Sequence, residues 1–158
     1  GFDMEILYYS RTRKPEIEEK YGLDWVPELN DLLSKSDFVS VHVPLGPETQ
    51  NFIDQKELSA MKKDAFLINT SRGGTVNPDA LRNALNNGQI AGAALDVTSP
   101  EPIDAQDALV HMENVLITPH IASASAATLR RMGLMSADNV IALLNGESMP
   151  ACLNPEVL

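Results

Sequence analysis

The stretch "DAFLINTSRGGTVNPDAL", residues 64–81, decides the fold. Ala65 to Asn69 form a short run that is nearly all apolar, which is what a parallel strand covered on both faces requires. Within three residues of Asn69 the chain places Arg72, a permanently charged side chain, beside Gly73 and Gly74. Glycines in that place point to a close backbone approach. Asn77 then supplies an N-cap and Pro78 a first-turn proline, and Gly88 a C-terminal stop, so a helix follows the strand.

Outward from this unit the same alternation repeats. Apolar runs with strand character occur at Glu5 to Tyr9, Phe38 to Val43, Ala91 to Val97 and Val115 to Thr118, with helical patterns between them. Val26, Leu29, Leu32 and Leu33 share one helical face, with Pro27 suited to a first turn. Asp54 and Glu57 make a capping box. Ala124 to Asn145 reads as a long amphipathic helix ended by Gly146, with Met132 and Met135 expected to pack in a core. The fold expected is α/β, a doubly wound parallel sheet of Rossmann-like type.

Composition narrows the partners. The chain has 158 residues, 44% hydrophobic and 22% charged, enough for one globular core. Its 12 basic and 22 acidic residues leave a formal charge of -10, which disfavours a nucleic-acid partner. No apolar run reaches the roughly 18 residues of a membrane helix, so no membrane partner is expected. Cys152 stands alone, which fits a reducing, cytoplasmic setting and offers no metal site.

In a doubly wound sheet, ligands sit outside the carboxyl ends of the strands. The loops there are "SRTRK", "PLGPET", "TSRGG", "TSPEP" and "PHIAS". Three of them deliver Arg72, Glu101 and His120. A histidine beside a carboxylate favours its imidazolium form and can give a proton near neutral pH. An arginine presents a planar fork to a carboxylate. Together they suit a small carbonyl acid such as a 2-keto acid. Singly, Glu101 reads as an exposed acid between prolines and His120 as a structural histidine; their order along the chain with Arg72 carries the functional reading.

"DAFLINTSRGGTVNPDALRNALNNGQIAGAALDVTSPEP" followed by "NVLITPHIAS" resembles the NAD(P)-dependent D-isomer-specific 2-hydroxyacid dehydrogenases over practically the whole chain. Through "LDVTSPEP" and "GESMP" it looks most like glyoxylate and hydroxypyruvate reductases. The resemblance implies that Arg72 holds the substrate carboxylate and carbonyl, that Glu101 partners the histidine, and that His120 is the acid-base residue. It implies that Asp96 hydrogen-bonds the nicotinamide carboxamide. Pro44, Thr70 and Ala122 then border the cofactor, and Ser123 borders the substrate with Arg72 and His120. A homodimer is implied for the intact protein.

The loop after the first strand refines the cofactor. An acidic residue commonly binds the adenine ribose there. Here Ser10 carries no charge, and Arg11, Arg13 and Lys14 suit a 2′-phosphate, so NADPH is expected, with NADH the alternative. One element departs from the pattern: no G-x-G-x-x-G occurs anywhere in the chain. Residues 1–123 are therefore expected to be a partial dinucleotide-binding domain whose first strand and phosphate turn are absent. Residues 124–158 are expected to be a long helix and tail returning toward an absent substrate domain. Loss of a central strand should separate the remaining strands and leave the isolated piece poorly stable. Rival readings are other substrates of the family (D-lactate, D-glycerate, 3-phosphoglycerate) and a non-enzymatic, corepressor-like dinucleotide sensor.

Overall fold

The computed structural model describes residues 2–157. The chain divides into two compact units, Gly1–Pro119 and His120–Leu158. The first contains, in order, β1 (Ile6–Tyr8), α1 (Pro15–Tyr21), β2 (Leu23–Trp25), α2 (Leu29–Lys35), β3 (Phe38–Val41), α3 (Gln55–Ala60), β4 (Phe66–Asn69), α4 (Pro78–Asn86), β5 (Gly92–Leu95), α5 (Ala108–His111) and β6 (Val115–Ile117). Every strand pairing is parallel. Strands β3-β4-β5-β6 form one sheet in chain order, while β1 and β2 form a separate two-stranded sheet. The interruption falls between β1 and β3, where a central strand was expected to be missing.

One face of the four-stranded sheet makes the core. Val39 and Val41, Leu67, and Ala93 and Leu95 alternate onto it and are buried. Leu33 from α2, Leu58 from α3, and Ala80, Leu81, Ala84 and Leu85 from α4 close it. Each fully buried leucine of this set contributes about 1.5–3 kcal/mol. The opposite face differs from the expectation of cover on both sides. Phe38 is 55% exposed, Phe66 41% and Leu116 63%. The rings of Phe38 and Phe66 stack across the β3–β4 pair at 5.8 Å, with Gly92 in register beside them. In β4, β5 and β6 the short apolar runs carry no alternation to show which face is covered; in β3 the alternation of Val39, Val41 and Val43 with Ser40 and His42 marks the covered face, and the sequence reading passed over it.

Local chemistry sets the helix ends as expected. Asp54 and Glu57 form the capping box of α3, and the Asn77 side chain accepts from the Asp79 and Ala80 amides at the start of α4. Gly88 adopts φ +60 behind that helix. Two details correct the sequence reading. Strand β2, three residues long and between two helices, was not foreseen, and Pro27 precedes the Glu28 cap of α2 rather than entering its first turn.

The second unit is built on α6 (Ala126–Leu144), which is capped by Ser125, whose hydroxyl accepts from the Thr128 amide. Asn139 pairs with both the amide and the carbonyl of Ala151, tying the tail to the helix. Met132 and Met135 are 55% and 42% exposed, not core residues, as are Leu129, Val140, Ile141 and Leu144 on the same helix. An amphipathic pattern reports an apolar face; it does not report what covers it. Among the described residues no helix is long and apolar enough to cross a membrane.

Candidate active site

The carboxyl end of β4 carries a densely hydrogen-bonded loop. Asn69 is 1% exposed, a polar group at the end of an apolar strand, and such a group is stable only if its hydrogen bonds are met. Its amide nitrogen donates to the Arg72 carbonyl at 3.0 Å and to the Thr75 hydroxyl at 3.3 Å. Its oxygen accepts from the Ser71 amide at 3.0 Å and the Ser71 hydroxyl at 2.8 Å. The buried Thr75 hydroxyl also donates to the Arg72 carbonyl, at 2.7 Å. Arg72 thus has its backbone fixed from below while its side chain is exposed. One guanidinium nitrogen donates to the Ser71 carbonyl at 2.7 Å, a bond that a ligand carboxylate can replace. Thr70 is exposed in the same loop.

The two glycines meet the protein itself. A Cβ on Gly73 would overlap the Thr98 carbonyl and lie 2.8 Å from the Ser99 nitrogen. A Cβ on Gly74 would lie 3.2 Å from both terminal carbons of Leu45 and from the Gln50 side-chain oxygen. The close approach inferred from "RGG" is therefore to the neighbouring loops after β5 and β3. The β3 loop is closed by Thr49, whose hydroxyl donates to the Pro44 carbonyl at 2.6 Å and accepts from the Gly46 amide at 2.8 Å.

Asp96 follows β5 and is buried. Its amide donates to the Asn69 carbonyl at 2.9 Å and its carboxylate accepts from the Thr118 hydroxyl at 2.6 Å, which ties the ends of β4, β5 and β6 together. Glu101 is exposed in the loop that follows, flanked by two prolines whose peptide bonds are both cis. Arg72, Asp96 and Glu101 therefore belong to adjoining loops of the first unit. His120 opens the second unit, two residues after Thr118, with Ala122 and Ser123 behind it. It has φ +55, in the left-handed region that is uncommon for a residue with a side chain.

The loop after β1 is organised by a surface cluster. Arg13 donates to both carboxylate oxygens of Glu18 (2.8–3.2 Å) and lies over the Trp25 ring at 5.4 Å. The Tyr8 hydroxyl donates to Glu18 at 2.6 Å and accepts from the Lys14 amide at 2.8 Å. The Arg13 guanidinium, and after it the Tyr8 hydroxyl, hold the Glu18 carboxyl below the usual carboxylate range. The Ser10 hydroxyl donates to the Thr12 carbonyl at 2.6 Å. Arg11 and Lys14 are exposed and make no side-chain ion pair among the described residues. Of the basic residues expected to receive a phosphate, Arg13 is thus already engaged.

Known proteins resemble this chain in sequence and fold. The NAD-binding domain of the D-isomer specific 2-hydroxyacid dehydrogenases matches residues 1–122. This chain belongs to the D-isomer specific 2-hydroxyacid dehydrogenase family. A glyoxylate reductase of Korarchaeum cryptofilum is 49% identical over 158 residues, which are 100% of this chain and 47% of that protein. The chain therefore spans about half the length of the curated relatives it matches. Among solved structures, an NADPH-dependent glyoxylate/hydroxypyruvate reductase of Sinorhizobium meliloti, in complex with NADP and malonate, is 38% identical with a TM-score of 0.82, over 90% of this chain and 43% of that one. A D-lactate dehydrogenase of Lactobacillus jensenii with NAD+ is 34% identical with a TM-score of 0.86, over 94% and 48%.

The residues present fit the nicotinamide end of such a cofactor. Asp96 offers a buried carboxylate where the ends of β4, β5 and β6 are tied together, and the β3 and β5 loops close on the glycines of the β4 loop. The pyrophosphate end normally rests on a glycine-rich turn, and none of the nine glycines falls in that pattern. Sequence reasoning passed over Asn69 and Thr75 as working residues. Their signal was there to read, as polar side chains bracketing "TSRGG" at the end of an apolar strand.

Proposed function

We propose that the intact protein reduces a small 2-keto acid, glyoxylate or hydroxypyruvate, to its D-2-hydroxy acid, with NADPH as the preferred cofactor. The bound nicotinamide supplies the hydride. Arg72 receives the substrate carboxylate on its guanidinium and orients the carbonyl, helped by a backbone that Asn69 and Thr75 hold still. His120 gives its proton to the carbonyl oxygen, and takes it back in the oxidative direction. Glu101 serves as the carboxylate partner of that histidine. Asp96 accepts from the cofactor carboxamide, Pro44, Thr70 and Ala122 border the cofactor, and Ser123 borders the substrate.

The observation that carries this reading is the fixed Arg72 loop packed against the Glu101 loop, in a chain 49% identical to a glyoxylate reductase. NADPH is supported by the uncharged Ser10, by Arg11 and Lys14, and by the relative described as NADPH-dependent. The Arg13–Glu18 pair favours the second reading, NADH, because it withdraws one cation from a 2′-phosphate. Residues 124–158 return toward the substrate-binding remainder of the intact protein. The exposed apolar residues of α6 support a homodimer, and the single Cys152 suits a cytoplasmic setting.

The test is NADPH oxidation by the intact protein with glyoxylate, hydroxypyruvate and pyruvate, alongside Arg72→Ala and His120→Ala. Turnover of the first two substrates, lost in both variants while folding persists, is the expected result. Dinucleotide binding without turnover of any keto acid would replace this reading with a sensor.

A further inference from the structure

We propose that Gly73, Arg82 and Asp107 are positioning residues that hold the Arg72 loop and the Glu101 loop in register with each other. The segment 97–107, which carries Glu101, is anchored at both ends to the β4–α4 unit. At its start, Thr98 and Ser99 pack against Gly73 so closely that a methyl group there would overlap the Thr98 carbonyl. At its end, Asp107 accepts a bidentate pair from Arg82 of α4, at 3.0 Å from Nε and 2.6 Å from Nη2. The carboxylate of Asp107 is 9% exposed, and it also caps α5 by accepting from the Leu109 amide at 2.9 Å. Arg82 is steadied in turn by Asp79, three residues earlier on α4.

Between the two anchors the loops leave little space. The cavity bounded by Gly73, Pro78, Leu81, Val97, Thr98 and Ile103 measures about 20 Å3, room for a single water. The contact is therefore a packed seam, with no room for a ligand. Glu101 stands between the two fixed points and Arg72 directly precedes Gly73. A shift of the seam moves one functional side chain relative to the other, and displacements of about 1 Å remote from the chemistry cost about 100-fold in rate. The kinetic consequence rests on the proposed reductase activity; the mechanical coupling does not.

The experiment compares Gly73→Ala, Arg82→Leu and Arg82→Lys in the intact protein, by steady-state kinetics corrected for folded enzyme and by hydrogen exchange of residues 70–76 and 98–107. Gly73→Ala is expected to raise KM and lower kcat, reducing kcat/KM by about 100-fold. Arg82→Leu is expected to lower kcat more than it raises KM for the keto acid, because the loosened seam lets the Arg72 and Glu101 loops shift against each other while the Asn69 network keeps Arg72 in place on average; Arg82→Lys, which keeps the charge but not the bidentate pair, recovers part of the loss. Exchange should quicken in both segments in each of the Gly73→Ala and Arg82→Leu variants. A merely structural role predicts a lower unfolding midpoint with wild-type kcat, KM and loop exchange in the folded fraction, and that result overturns the proposal. If the wild type turns over no keto acid, the reductase reading fails and exchange decides alone: joint quickening upholds the coupling, and independent behaviour refutes it. Should Gly73→Ala not fold, the two Arg82 variants distinguish the same outcomes.

Discussion

The loops after β4 and after β1 each bring arginine to the end of a parallel strand, yet they are held in opposite ways. Behind Arg72 stand a buried asparagine and a buried threonine whose polar atoms are consumed in fixing the loop backbone. Around Arg13 stand Glu18, Tyr8 and Trp25, in a cluster near the surface in which Arg13 is held by its side chain. The Arg13 side chain is 56% exposed, and an ion pair open to water on one side rearranges at lower cost than buried hydrogen bonds do. Under the proposed function, the rigid loop suits a reaction that needs one geometry, and the loop after β1 suits the choice between two closely related cofactors.

Breaking the rigid side should have the largest effects. Arg72→Ala is expected to lower kcat/KM for the keto acid about 1,000-fold, the loss of two charge-assisted hydrogen bonds, as measured by initial rates. Asn69→Ala strands the Ser71 amide and leaves the Arg72 carbonyl to Thr75 alone, and is expected to cost about 1–3 kcal/mol in urea unfolding, with a loss of rate. An unchanged midpoint would mean that the network is not what fixes the loop.

The seam beside that loop gives a pH-dependent prediction. Arg82 holds the Asp107 carboxyl below the usual carboxylate range, so its folded value lies under the unfolded value of about 3.9. The pair's contribution is then fully present above that unfolded value and fades as pH falls through the folded one. The stability difference between wild type and Arg82→Leu should shrink between pH 7 and pH 3, as read from urea midpoints at both. A constant difference would show that the effect of the substitution is packing alone. The smallest effect belongs to the loop after β1. Glu18→Ala releases Arg13 and is expected to raise the NADPH-to-NADH preference several-fold, with little change in the rate with NADH.

Much of this was legible in the residues, and the gaps have physical causes. The caps at Asp54 and Asn77 are local chemistry, and glycines at 73 and 74 announced a close approach; the Ser125 cap was missed, and the helix it starts was placed two residues early, at Ala124. Which backbone approached was hidden, because Thr98 lies 25 residues further on and only the fold brings it near. Strand β2 was too short to show a period. Arg13 was read as a phosphate ligand because "SRTRKPEIEEK" shows charges of both signs without showing which of them meet. The exposed Phe66 and Leu116 were read as covered because a continuous apolar run implies two covered faces; Phe38 shares its face with Ser40 and His42, and that alternation was legible but not used.

The division of labour between the two loops is tested most directly by a kinetic matrix. The kcat/KM of the intact protein would be measured for hydroxypyruvate with NADPH and with NADH, in wild type, Arg72→Ala, Arg11→Ala and the double variant. The account predicts that Arg72→Ala lowers the values with both cofactors by the same factor, that Arg11→Ala alters only the cofactor ratio, and that the double variant combines them additively. An Arg72 variant that changed the cofactor ratio, or an Arg11 variant that changed KM for the keto acid, would contradict it.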